Sequence, residues 1–521
     1  CQSESSNGGS DHQSPAVDSA ESAVENEVPA PSDAWIAFVD QYIEDYLATH
    51  PGFAVVQGRH EYDGQLQDWS AEGLARELER LKQAKEQALA FTDEELGPEG
   101  SFQREYLMAA IDRALFCLDK AEWPFVNPAF YFDWMSDSLD PSPYITLDYA
   151  PLEERMKSYV RYAQSVVRAV GQIRENLRMP MARTRLQYGI DSFGGMAAYF
   201  RNDVPTVFAA VENPELQDAF AEANTAAADA MQELTDWLSA NLATATEDYA
   251  LGAELFSQMI YDTERVEIPL DELEAMGQED MRRNQIALGE ACAEFAPGES
   301  VRSCFAKMAN RKPPGGSVES ARQQVAETKA FLVEKDLVSI PGNEEARVEE
   351  APPYARSNFA YINIPGPFEK NQPSVYYISP PNPDWSEEVQ QAYIAGESDL
   401  LFTSVHEVWP GHFLNFLHAK RSDWVFGRLF VTYAFAEGWA HYTEEMMKDA
   451  GLRDASAETR IGQLGNALLR NAPADADWWN PPRGMTIHQT EKRLIEVDKQ
   501  DEVTSARDRA RCTIERESLS D

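Results

Sequence analysis

Four of the chain's eight histidines fall between His406 and His441, and the stretch opening that cluster reads Ser404-Val-His-Glu-Val-Trp-Pro-Gly-His-Phe413. A His followed directly by Glu on a helix is half of a zinc-peptidase pattern. The imidazole holds the metal and the carboxylate handles the proton of the water beside it. The usual second His, four residues on, is Pro410 here. Pro410 lacks an N–H and its ring clashes with the carbonyl of His406, so a helix must open there. Gly411 loosens the same turn. On an undistorted helix His412 would lie about 120° away from His406. A widened or broken turn brings the two rings together.

The third ligand should come from a second helix, and Tyr433–Met447 supplies one. Glu437, His441 and Glu444 recur there at i, i+4, i+7, a polar face in an otherwise apolar segment. Carboxylates in such a setting need a partner, and a cation is one. Glu437 is the best third ligand. His441 and Glu444 then orient the ligands or line the cleft, with His441 as a ligand in its own right the competing assignment. His418 reads as an ordinary surface or core histidine.

The pairing of H-E-x-x-P-G-H with a downstream E-G-W-A-x-Y-x-E resembles the bacterial domain-of-unknown-function 885 family. That family includes many lipoproteins and is similar to zinc-dependent peptidases of the all-helical, His-His-Glu type. The resemblance runs from about Asp33 to Arg470, taking in the Tyr376-Tyr377 segment. It implies zinc (Zn2+) at His406, His412 and Glu437, with Glu407 as general base. The sequence departs from the family pattern at Phe413, where a further His is usual, and at His441, where Leu is usual. Beyond Asn471, Ala472-Pro-Ala-Asp-Ala-Asp-Trp-Trp-Asn-Pro-Pro482 interrupts the expected continuation. His488 does not replace the missing His there, because it follows Gly484-Met485 where the expected one precedes.

The chemistry expected is peptide-bond hydrolysis, with short peptides as substrates and Glu407 activating the water at the metal. Tyr376, Tyr377 and Tyr442 are candidate donors to the developing oxyanion, with Tyr377 and Tyr442 the ones retained. The altered segment after Asn471 favours the alternative, a metal- or peptide-binding surface lipoprotein without catalysis.

Long helices must carry these residues. Leu74, Leu78 and Leu81 recur at helical spacing behind a capping Ser70. Similar amphipathic runs cover Trp35–Leu47, Phe102–Leu118, Leu152–Leu177 and Asn213–Leu242, and further helices lie at about Leu270–Cys292 and Val318–Leu337. Two β-like runs, Phe359–Ile364 and Ser374–Ile378, interrupt them. The second is expected to be an edge strand able to pair with an extended peptide. The fold expected is mainly α: a large multi-helix, metallopeptidase-like body with a small β ledge beside the active-site helix. It occupies residues 33–490 as one body, with 33–270 a helical part and 271–490 carrying the metal site.

The flanks read differently. Residues 1–32 are Ser-, Gly-, Glu- and Pro-rich, too polar to offset the entropy of ordering, and form a tether. Cys1 ahead of that tether resembles the lipidated N-terminus of a mature bacterial lipoprotein. The expected location is the cell envelope, lipid-anchored to the outer membrane and facing the periplasm. Cys292 and Cys304 flank a loop, and in an exported protein they are expected to form a disulfide. Residues 491–521 are a polar tail. The chain of 521 residues carries 45 Lys and Arg against 88 Asp and Glu, a formal charge of −43. That charge repels phosphate backbones, so nucleic acid is excluded as a partner. No run approaches the ~18 apolar residues of a membrane helix, leaving the N-terminal lipid as the membrane contact. Phosphate-binding glycine loops, nucleophile elbows and dinucleotide fingerprints are absent. Oligomeric state is not encoded in any of these features.

Overall fold

A computed structural model describes residues 31–132, 138–352, 356, 358–383 and 385–471. Cys1, nearly all of the tether, the departure after Asn471, His488 and the tail lie outside the described residues. The helices that matter for the core and the site are numbered in chain order. The first three are α1 (Asp33–Thr49), α2 (Ala71–Leu89) and α3 (Asp93–Leu115). Ser70 caps α2 by accepting from the Gly73 amide at 3.1 Å. Thr92 and Glu95 cap α3 reciprocally, satisfying amides that a helix start leaves without partners. Leu74 and Leu81 are buried, as their spacing requires. The aromatic faces of α1 and α3 close around Phe426 and Leu429 from the far end of the chain.

A second layer is made of α4 (Leu152–Asn176), α5 (Arg183–Asn202) and α6 (Pro214–Asn241). They share one apolar core in which Tyr159, Tyr162, Phe193, Phe200 and Met231 are enclosed. Then come α7 (Leu270–Phe295), α8 (Val301–Ala309) and α9 (Ser317–Lys335). Cys292 at the end of α7 is joined to Cys304 on α8 by a disulfide with 5.7 Å between Cα atoms. Both sulfurs are buried against Ile461 and Leu464.

A three-stranded mixed sheet follows, β1 (Arg347–Glu350), β2 (Ala360–Asn363) and β3 (Val375–Ile378), in the order β1-β3-β2. This corrects one expectation: β3 is the central strand, paired in parallel with β1 and antiparallel with β2. Both of its edges are taken, so it cannot accept a peptide strand. The strand responsible, Arg-Val-Glu-Glu, is polar and carries no β signature in sequence. The buried side of β3 sends Tyr376 and Ile378 into the core built by α9 and by α10 (Glu397–Glu407). The connection from β2 to β3 docks on the N-terminal half, where the Phe368 amide donates to the Gln57 carbonyl at 3.0 Å. His60 sits in that seam. Its Nδ1 lies 3.0 Å from Asp63 and its Nε2 3.0 Å from Glu369, and its ring stacks on Tyr149 at 3.6 Å.

The last elements are α11 (His412–Ala419), α12 (Tyr433–Asp449) and α13 (Ala457–Asn471). The architecture is mainly α with a small sheet against α10. No described helix is long and apolar enough to cross a membrane.

Candidate metal centre

Helix α10 ends at Glu407 and α11 begins at His412, so the two histidines stand on either side of a helix break at Pro410. The Gly411 amide reaches back six residues to the Val405 carbonyl at 3.0 Å, a turn wider than the four-residue step of an α-helix. The Trp409–Pro410 peptide is cis. Across this turn the rings of His406 and His412 come to 4.7 Å between centroids, nearly perpendicular. Trp439 on α12 fastens the turn by donating its indole N–H to the Pro410 carbonyl at 3.0 Å.

Glu437, two residues before Trp439, faces both rings. His406 Nε2 is 3.2 Å from one carboxylate oxygen and His412 Nε2 is 3.3 Å from the other. One ligand atom from each of the three residues lies within 4.8 Å of the others. A tetrahedral ion with N and O ligands at about 2.0–2.1 Å sets those ligands about 3.3 Å apart, so the spacing suits such an ion. The donor set suits it as well, being two imidazoles and one carboxylate with a further position left for solvent or substrate. The His406 and His412 side chains are 8% and 12% exposed, but Glu437 is 35% exposed. Solvent therefore reaches the triad from the α12 side.

Electrostatics bind the cluster together. Burial and the neighbouring Arg470 guanidinium oppose charge on His406. Hydrogen bonds to Glu437 and Glu444 outweigh them and raise it to about 9. Burial works against ionisation of Glu437, yet the two imidazoles hold its carboxyl far below the usual range. Glu444 is wholly buried, which opposes its charge, but Arg470 and His406 bring it down to about 2.

Glu444 lies 2.9 Å from His406 Nδ1. A carboxylate on that nitrogen turns the other nitrogen toward a metal. His441 is on the same face of α12, 3.9 Å from Glu444, and it is not in the ligand triad. Glu407 is buried at the end of α10, and its negative charge is felt at Tyr376. His418 is exposed and donates to the Ser339 carbonyl at 2.8 Å.

The three tyrosines are dispersed. Tyr376 is fully buried with its hydroxyl 3.4 Å from Ser404. Tyr377, on the opposite face of β3, is half-buried with its ring 5.3 Å from Tyr361. Tyr442 is 58% exposed, and five residues of helix set it about 140° around α12 from Glu437.

Arg470 is the residue the sequence reading passed over. Its guanidinium lies 3.1 Å from Glu444 and 3.0 Å from His406 Nδ1. One turn earlier on α13, Asn466 donates to Asp399 at 3.2 Å. Burial pushes the Asp399 carboxyl up to about 6. The available signal was periodicity: 399 and 406 share a face of α10, and 466 and 470 share a face of α13.

Residues 51–492 match the family described as a bacterial protein of unknown function, DUF885. The chain belongs to the DUF885 family. No curated protein matches it. A "putative lipoprotein of unknown function" from Shewanella oneidensis is similar in structure to this DUF885 chain, with a TM-score of 0.74 at 19% identity. That match covers 93% of this chain and 90% of the other. A "putative lipoprotein" from Colwellia psychrerythraea has a TM-score of 0.75 at 14% identity, covering 94% and 90%. At those identities the two neighbours show the fold of this chain and nothing further.

Proposed function

We propose that this DUF885 protein is a zinc-dependent hydrolase of peptide bonds, acting on short peptides. The observation that carries the reading is the convergence of His406 and His412 on the two oxygens of Glu437, open to solvent on one side. A divalent zinc ion held there would polarise a water and a substrate carbonyl. The rest of the chemistry falls to side chains. Glu407, next to His406 at the end of α10, takes the proton of the attacking water and delivers it to the leaving amine. Glu444 fixes the His406 ring through Nδ1. Tyr377 and Tyr442 remain the proposed oxyanion donors. Of the two, Tyr442 needs the substrate to wrap round α12.

The proposed location is the bacterial envelope, anchored to the outer membrane by lipid on Cys1 and facing the periplasm. The descriptions of the two structural neighbours support it, as does the Cys292–Cys304 bridge, which suits an oxidising compartment.

Elemental analysis of the purified protein, followed by digestion of a peptide library with and without chelator, tests the reading. One zinc per chain and chelator-sensitive cleavage are expected. Bound zinc without cleavage of any library member, and no effect of Glu407→Gln, would leave a metal-binding lipoprotein instead. Absence of any metal would remove both.

A further inference from the structure

We infer that Arg470 is a positioning residue for the metal centre, holding Glu444 against His406 so that the other ring nitrogen faces the ion. The inference rests on the metal-centre reading above and adds a residue which neither the two motifs nor their spacing contains.

Three polar atoms make a closed triangle behind His406. Glu444 Oε1 is 2.9 Å from His406 Nδ1, Arg470 Nη2 is 3.1 Å from the same oxygen, and Arg470 Nη2 is 3.0 Å from Nδ1. Guanidinium nitrogens carry only donors. An Nδ1 that also carries hydrogen leaves two donors sharing Oε1, with the Nε2 lone pair directed away from Arg470. Among the described residues, the second oxygen of Glu444 is buried and has no hydrogen-bond partner. Among the described residues the Glu444 carboxylate is therefore oriented through Oε1, with His406 and Arg470 at 2.9 and 3.1 Å and His441 Nδ1 farther off at 3.9 Å. Removing Arg470 leaves a buried carboxylate free to swing, and with it the ring that depends on it.

Arg470 is itself placed with care. Its own Nη1 donates to the Asn466 carbonyl at 3.2 Å, and the Asn466 side chain bonds to Asp399 on the helix that carries His406. The guanidinium thus ties α13 to two of the three ligand-bearing helices, α10 and α12. Its side chain is about one-third exposed while Glu444 is wholly enclosed. Arg470 is thus the partner through which the enclosed carboxylate meets the outside of the protein.

The test measures zinc affinity by competition with a chromophoric chelator in the full-length wild type, Arg470→Met and Arg470→Lys. Thermal melting of each in chelator reports folding separately. Loss of a group that orients a metal-bound His weakens the metal by about 10–100-fold. Arg470→Met should fall in that range, Arg470→Lys should recover part of the loss by restoring a charge beside Glu444, and the melting midpoints in chelator should stay together. Wild-type affinity in Arg470→Met overturns the inference. So does equal weakening in the Lys and Met variants, which would make the role one of shape. A drop in the chelator-state midpoint large enough to account for the lost affinity overturns it in favour of simple stabilisation. Failure of the wild type itself to bind zinc overturns the metal-centre reading and carries this inference down with it, a result distinct from the other three.

Discussion

Gly411 lies so close under His406 that a β-carbon built on it would stand 1.7 Å from the His406 carbonyl oxygen. The same hypothetical atom would be 2.6 Å from the Val405 carbonyl oxygen. The obstacle is backbone on the ligand-bearing helix itself, which cannot rotate out of the way. Gly411→Ala is therefore expected to push His412 off the triad and to destabilise the fold by about 3 kcal/mol, at the upper end of ordinary overpacking. Denaturant melts and zinc stoichiometry on one sample check both effects. A variant with wild-type zinc content would mean that the turn is softer than its contacts indicate.

Glu407 and Glu437 are both acidic, but they should fail differently. Glu407→Gln keeps the ligand set intact, so zinc content is expected to stay at the wild-type value while peptide cleavage drops by about 10²–10⁴-fold. Glu437→Gln weakens a ligand and should lower zinc content first. Elemental analysis beside a cleavage assay separates the two. Equal zinc loss in both variants would place Glu407 among the ligands.

His60 predicts a pH dependence unrelated to the metal. Burial opposes its charge, but the hydrogen bonds it donates to Asp63 and Glu369 prevail and raise it to about 9. A histidine raised on folding contributes stability that is fully present below its unfolded value near 6.5 and is lost as pH rises through 9. The difference in unfolding free energy between wild type and His60→Gln should therefore shrink from pH 6.5 to 9.5, by at most about 3 kcal/mol. Urea melts across that range, in constant zinc, provide the measurement. A difference that stays flat with pH would show that His60 is neutral in the fold.

The disulfide between Cys292 and Cys304 spans a sequence separation of only 12. Closing so short a loop is worth about 2–4 kcal/mol. Reduction, or the Cys292→Ser/Cys304→Ser pair, is expected to lower the unfolding free energy by that amount. The loss should appear first around α7, α8 and α13, whose side chains enclose the bridge. Hydrogen exchange resolved by segment would show where protection is lost.

Much of this was written in residue spacing. The i, i+4, i+7 pattern at Leu74, Leu78 and Leu81 matches α2, and Pro410-Gly411 announces the break that lets His406 and His412 meet. The runs at Leu270–Cys292 and Val318–Leu337 fall on α7 and α9 within a few residues. Strand β1 was not legible, because Arg-Val-Glu-Glu has one buried side chain and acquires its conformation from pairing with β3. Without β1 in view, β3 looked like an edge. Arg470 was hidden for a related reason: its partners lie 26 and 64 residues away in sequence, and the spacing that puts 466 and 470 on one helix face does not say what that face meets. The ligands were easier to find because two of them share a short stretch, and residue type alone narrows what can bind a cation.

The indole of Trp439 bonded to the Pro410 carbonyl has a wider meaning for how the ion arrives. That bond crosses from the helix of one ligand to the turn between the other two, so all three are held in register by the protein's own contacts. An incoming ion is then expected to meet ligands already in register, and its removal to leave them so. Stripping and reloading should then behave as simple exchange with solvent, fast and fully reversible, with the same cooperativity of denaturant unfolding before and after. Metal would act on this protein as a tenant, while the masonry stays where the chain has put it.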